Sequence, residues 1–221
     1  MGAGGESGGS EGRLKNGNAN GTARRGIRLL TRGRGRVRGR ITGFVNCERW
    51  LGADDPKISI ATYDLASLAV LQAPEYRAIA GENLSPWSRH VIGKCRRICR
   101  FEAEQILPGS GIAPLRAGGM LLFATNVAPE AEADFNLWYD NEHMPNLAAV
   151  PGCLGGRRFR IEKAVSEGSH RYLSLYHLAL PEVCSSEAWR KAVETPWTHR
   201  VRRHMRDRLR MVLRRYQRAA R

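Results

Sequence analysis

No run of roughly eighteen apolar residues occurs anywhere in the 221-residue chain, so the sequence offers no transmembrane helix. No short apolar stretch near residue 1 marks a secretory signal. Cysteine is sparse: Cys47, Cys95, Cys99, Cys153 and Cys184 are odd in number and scattered. Cys95 and Cys99 stand four apart, but no second pair accompanies them at zinc-site spacing, so no metal site is expected. These absences predict reduced thiols in a cytoplasmic protein without a membrane partner. Also lacking are a strand-borne glycine loop for phosphates, a G-x-S-x-G elbow and a paired nucleophile.

Acidic residues are too few to balance the basic ones, and the net charge is +15. The excess sits at the ends: residues 1–40 carry +8 and residues 199–221 carry +9, which leaves −2 for residues 41–198. A nucleic-acid-binding fold normally carries its positive surface on folded elements. A near-neutral body therefore argues against nucleic acid as the partner. Residues 1–40 are rich in Gly, Ser, Asn and Arg and hold few large apolar residues. Such a segment cannot bury enough surface to offset its ordering entropy, and disorder is expected there.

From residue 41 the text repeats. Ile41-Thr42-Gly43-Phe44 corresponds to Val150-Pro151-Gly152-Cys153, and Ile58–Leu65 to Arg171–Leu178. Val70 then aligns with Val183, Tyr76-Arg77 with Trp189-Arg190, and Pro86-Trp87-Ser88 with Pro196-Trp197-Thr198. The order is kept throughout, with only small changes of spacing.

The second copy reads as β-α-β-β-α-β. Met120 to Val127 is a short apolar strand; Pro129 to Tyr139 is a helix with Pro and acids in its first turn. Pro151-Gly152 breaks the chain before a strand from Cys153 to about Ile161, and Tyr172 to Leu178 makes a third strand. A helix follows from about Ser185, interrupted at Pro196-Trp197. Leu209, Met211 and Leu213 alternate as a strand, reaching from about Met205 to Tyr216. The predicted fold class is α+β: two ferredoxin-like (βαββαβ) units forming a pseudo-dimeric α+β barrel. The expected division is a tail at 1–40, an incomplete first repeat at 41–109 and a complete second repeat at 118–218.

The run Phe135-Asn136-Leu137-Trp138-Tyr139-Asp140-Asn141-Glu142-His143-Met144-Pro145, then Val150-Pro151-Gly152 and Arg157-Arg158-Phe159, resembles the dimeric α+β barrel superfamily. Within it the W-Y-x-x-E-H-x-P signature is similar to EthD-like and uncharacterised members. The resemblance implies two units packed sheet to sheet, as a homo-oligomer or as tandem halves of one chain. It further implies a cavity for a small hydrophobic or aromatic molecule. Members include cyclases, isomerases and cofactor-free monooxygenases, so no cofactor is expected.

One departure stands out. Nothing before Ile41 resembles the first strand or the W-Y-x-x-E-H helix, and the first unit is expected to lack both. Two explanations stay open: a frame error in the gene, or a degenerate half whose missing strand comes from another chain.

The chemistry concentrates in the second copy. Glu142 and His143 follow Trp138-Tyr139 near the end of the first helix, at the cavity mouth of a ferredoxin-like unit. A histidine beside a carboxylate suits proton transfer, and both are catalytic candidates. Consecutive helical residues point about 100° apart, which favours His143 over Glu142 for a ligand. Against function stands a capping role for Glu142 and a loop-locking role for His143. Trp138, Tyr139, Arg158 and Tyr176 are the candidate ligand-binding residues. The expected function is small-molecule binding or cofactor-free proton-transfer catalysis. The alternative is a non-catalytic scaffold whose basic ends contact acidic partners or RNA.

Overall fold

In the computed structural model the described residues are 26–30, 40–95, 99–109, 111–165 and 170–217. Among them the period-two runs form eight strands: β1 (Gly26–Leu30), β2 (Phe44–Gly52), β3 (Ser59–Leu65), β4 (Arg100–Leu107), β5 (Gly119–Val127), β6 (Cys153–Val165), β7 (Tyr172–Leu178) and β8 (Met205–Arg215). Every neighbouring pair is antiparallel. The ring closes in the order β1-β3-β2-β8-β5-β7-β6-β4. Closure leaves no open sheet edge.

Helices cover the outside. The first half carries α1 (Pro74–Arg77) and α2 (Pro86–Gly93). The second carries α3 (Glu132–Trp138), a π turn at Tyr139–His143, α4 (Met144–Ala148), α5 (Glu187–Val193) and α6 (Pro196–Arg202). The N-caps are local chemistry: the side chains of Ser85, Ser186 and Thr195 each accept a backbone N–H at the start of α2, α5 and α6. Ser186, not Ser185, caps α5, because the 3₁₀ turn Pro181–Ser185 takes up one more residue.

Alternation along each strand splits the side chains between two cores. Trp50, Ile60, Phe101, Met120, Phe159 and Leu213 fill the barrel interior. Phe135, Trp138, Tyr172, Tyr176 and Trp189 lie between the second half's sheet and helices. Tyr63, Leu65, Leu71 and Tyr76 form the smaller counterpart in the first half.

The duplication is visible in matched close contacts. Gly43 and Gly152 hold φ of +91° and +87° at repeat-equivalent turns. A Cβ on Gly43 would meet Val70 Cγ2 at 2.4 Å, and one on Gly152 would meet Val183 Cγ2 at 2.8 Å. Val70 and Val183 are themselves repeat mates, so the same turn is locked twice in the same way.

The expectation that the first unit lacks its N-terminal strand is corrected. Gly26–Leu30 is that strand, pairing with β3 from Gly26↔Leu65 to Leu30↔Ala61 and with β4 from Gly26↔Glu104 to Leu30↔Arg100. No second chain is needed to supply it. The segment was passed over because Arg28 interrupts its short apolar run and glycine and arginine crowd its flanks. Ile27 is fully buried in the barrel interior. Apart from residues 26–30 and 40, the expected disorder of 1–40 lies outside the described residues. Among the described residues no helix stands between β1 and β2.

The first helix of the second half also runs further than predicted. It continues past Tyr139 through the π turn, where the Met144 N–H donates to the Tyr139 carbonyl. Pro145 has no N–H to give and opens α4.

Candidate functional site

Between the second half's sheet and its helices lies a cavity of about 310 Å³. Its wall draws on β5 (Leu121, Phe123), on α3, the π turn and α4 (Trp138, Tyr139, His143, Leu147), and on β7 (Tyr176). Cys184, α5, α6 and β8 complete it. A volume of this order is at the small end of the range for small-molecule sites, about 300–1,000 Å³.

His143 sits in an aromatic cage. Its ring stacks on Trp138 with centroids 4.1 Å apart and planes 25° apart. Tyr139 and Tyr176 meet it edge-on at 5.2 and 6.3 Å. Its relative exposure is 9%, and Nδ1 is buried without a hydrogen-bond partner. Burial, reinforced by the positive charges of Arg202 and Arg158, pushes its pKa down to about 3. The imidazole is therefore neutral at physiological pH and presents one acceptor and one donor nitrogen. Burial also raises the phenol pKa values of Tyr139 and Tyr176, and it pushes the Cys184 thiol up to about 11. Both phenols and the thiol stay protonated near neutrality.

Glu142 points elsewhere. Its Oε1 accepts from Thr195 Oγ1 at 2.5 Å, and Thr195 caps α6 by accepting from the Thr198 N–H at 3.0 Å. Trp138 Nε1 donates to Thr198 Oγ1 at 3.1 Å, so this hydroxyl pair ties α6 to both ends of the π turn. Glu142 is not among the residues lining the cavity. The 100° step between neighbours separates the two side chains as the helix geometry requires.

Arg158 does not line the cavity either; it lies behind the wall. Its guanidinium is stacked by Tyr139 at 4.4 Å, Tyr172 at 4.9 Å and Phe135 at 5.0 Å. It donates to Asn136 Oδ1 at 2.5 Å and to Asp140 Oδ1 at 3.3 Å. A caged cation at 1% exposure packs on the face of Tyr139 and holds that ring in place. Of the six sequence-derived candidates, His143, Trp138, Tyr139 and Tyr176 come together at the cavity, whereas Glu142 and Arg158 support its frame.

Alternation sends Arg157 and Arg158 to opposite faces of the sheet, and both are buried, at 4% and 1% exposure, because both faces are covered. Arg157 enters the barrel interior, where Nη1 pairs with Asp64 Oδ1 at 2.8 Å and Nε donates to His177 Nε2 at 3.1 Å. Asp64 and His177 are repeat mates, so one arginine clasps the same position of both halves. Burial, then Arg157, lowers the His177 pKa to about 3. Nearby, the buried carboxylate of Glu48 pairs with Arg215 at 2.7 Å, and burial raises its pKa.

The sequence reading missed the cationic part of the cavity: Arg190, Arg202, Arg208 and Arg210. Arg202, Arg208 and Arg210 had been counted as part of a basic end. The signal was available, since Arg206, Arg208 and Arg210 alternate with Leu209, Met211 and Leu213 along the predicted strand.

No protein-family model matches the chain, and no curated protein sequence matches it. Solved structures do. An anthrone oxidase-like protein superposes with a TM-score of 0.61 at 16% identity, over 90% of this chain and 93% of that one. A candidate monooxygenase of Fusobacterium nucleatum gives 0.58 at 8% identity, over 88% and 94% of the two chains. A double variant of the chlorite dismutase of Candidatus Nitrospira defluvii gives 0.52 at 13% identity, over 86% and 91%. At these identities the likeness establishes the dimeric α+β-barrel fold, with both halves in one chain.

Proposed function

We propose that this chain binds a small, flat, largely aromatic molecule in the cavity of its second half, with His143 meeting the ligand's polar group. The observation that carries this reading is the state of His143. Its ring belongs to an aromatic wall, and its Nδ1 is buried without a hydrogen-bond partner among the described residues. A buried polar group without a partner costs about 1–3 kcal/mol, so the fold's own stability gives no reason for a histidine there. A phenol, enol or acidic C–H of the ligand would satisfy it.

Trp138, Tyr139 and Tyr176 supply flat surface for a ring. Glu142 acts through Thr195 to hold α6 against the π turn, and Arg158 braces Tyr139 from behind. A base whose pKa is about 3 takes a proton only from a strongly acidified group. Binding and orientation therefore come first in this reading, and proton transfer follows where the bound ligand raises the basicity of His143. No cofactor is called upon. The W-Y-x-x-E-H-x-P signature supports an EthD-like affiliation within the fold, with residues 41–109 and 118–218 as the repeats.

Two further readings differ in support. Oxidation of the bound ring is favoured by the structural relatives, which include an anthrone oxidase-like protein and a candidate monooxygenase. Its readout is oxygen uptake on adding an electron-rich phenol. A pure scaffold has less support, because an open aromatic cavity serves no purpose in one.

The test is His143→Gln, assayed by urea unfolding and by ligand affinity on the same variant. Stability is expected to stay within about 1 kcal/mol of the parent, since a ring whose buried Nδ1 bonds to nothing is being replaced. Affinity for an aromatic ligand is expected to fall at least about tenfold, or 1.4 kcal/mol. Intact affinity in a destabilised protein would retire the functional reading of His143.

A further inference from the structure

The cavity wall is chemically mixed: aromatic rings surround His143, and β8 with the ends of α5 and α6 adds cationic side chains. Four arginines and one glutamate supply the charge there: Arg190, Arg202, Arg208, Arg210 and Glu194. Two of the arginines are engaged. Arg202 Nη2 pairs with Glu194 Oε1 at 3.1 Å, and Arg190 Nη1 donates to the Ser185 carbonyl at 2.6 Å.

Arg208 and Arg210 have no ion-pair partner among the described residues. They stand two apart on β8, so their side chains leave the same face of the sheet. Arg210 lies directly opposite Phe123 of the cavity wall. Like charges side by side on one strand face repel, and the fold gains nothing from placing two there unanswered. Two exposed guanidinium groups on the wall of a largely apolar cavity form a receptor for a carboxylate or enolate, which an arginine fork recognises by paired hydrogen bonds.

We infer that the ligand is an aromatic anion, with its ring in the apolar part of the cavity beside His143 and its acidic group held by Arg208 and Arg210. This inference rests on the binding reading above and adds the substrate class. Neutral aromatic molecules would enter the same slot more weakly. The anion would also place a negative charge in the cavity that His143 lines, countering Arg202 and Arg158.

The experiment titrates the full chain with 2-naphthoate and 2-naphthamide, isosteres that differ by one charge, following the fluorescence of the wall tryptophans. 2-Naphthoate is expected to bind at least tenfold more tightly at low ionic strength. Raising salt should erode that preference and leave the amide unaffected, because ion pairing at exposed groups is screened. In R208Q/R210Q the preference should vanish while the amide keeps its affinity. Both residues are exposed on their strand, so the variant should fold. Equal affinities, tighter amide binding, or a preference that survives in R208Q/R210Q would overturn the anion assignment while leaving the binding site in place. Failure of both compounds to bind would overturn the assignment and the binding reading together.

Discussion

The two halves follow one pattern, and the cavity of about 310 Å³ lies under the helices of the second. Tyr63 and Tyr76 of the first half correspond to Tyr176 and Trp189 of the second, so the aromatic framework is shared. The differences are in the residues between. Phe44 stacks on Tyr76 at 5.8 Å and meets Tyr63 edge-on at the same separation, filling the space. Its counterpart is Cys153, and the counterpart of Leu71 is Cys184. Two large-to-small exchanges leave room where the first half is packed. The helices differ as well. Trp197 Nε1 donates to Asp134 on α3 at 3.0 Å, while its mate Trp87 is 58% exposed. A duplicated unit thus keeps its fold in both copies, while the candidate cavity lies in the second.

The barrel interior is where the halves depend on each other most. Asp64 and Arg157 are both buried, with side-chain exposures of 6% and 5%. Asp64→Ala would leave that guanidinium uncompensated, and urea unfolding should register a loss of about 3–5 kcal/mol. A loss below 1 kcal/mol would mean that the halves do not rely on this clasp. Next in size, Phe44→Cys imposes the second half's small residue on the first. It should cost about 2–4 kcal/mol in the same assay and open space beneath α1. An unchanged midpoint would show that Phe44 is not what fills the first half.

Acid sensitivity sharpens the contrast further, because both buried histidines belong to the second half. His143 and His177 hold pKa values near 3, against about 6.5 in the unfolded chain. Between those values the unfolded state binds protons that the native state refuses, so stability falls as pH falls from about 6.5 toward 3. Each histidine contributes about 1.4 kcal/mol per pH unit within that window. The buried Glu48 carboxyl, whose pKa is raised, opposes part of this at the acid end. His143→Gln should flatten the acid limb of a stability–pH profile, and an unaltered slope would contradict its buried neutral state.

Much of the second half was legible because its signals are local and strong. Short apolar runs marked β5 and β7, alternation marked β8, and Pro196-Trp197 marked the break between α5 and α6. The repeat then carried that reading into the first half. What escaped depended on partners distant in sequence. Gly26–Leu30 is a strand because β3 and β4 each offer a free edge, which its own five residues do not reveal. Arg157 and Arg158 are both buried because the sheet has two cores, a property of closure. The site was half legible: the W-Y-x-x-E-H run located His143, Trp138 and Tyr139. The arginines of β8 were hidden inside a basic terminus that was read as a whole.

The central claim is that ligand binding belongs to the second half's cavity. Amide chemical-shift changes on adding 2-naphthoate to the isotope-labelled chain test it most directly. Binding at the proposed site should move the signals of Trp138 through Leu147, Tyr176, Trp189 and the β8 residues Arg208 and Arg210. The repeat mates Tyr63 and Tyr76 should stay still. Shifts centred on Tyr63 and Tyr76, or on the interior cluster of Asp64, Arg157 and His177, would contradict the account.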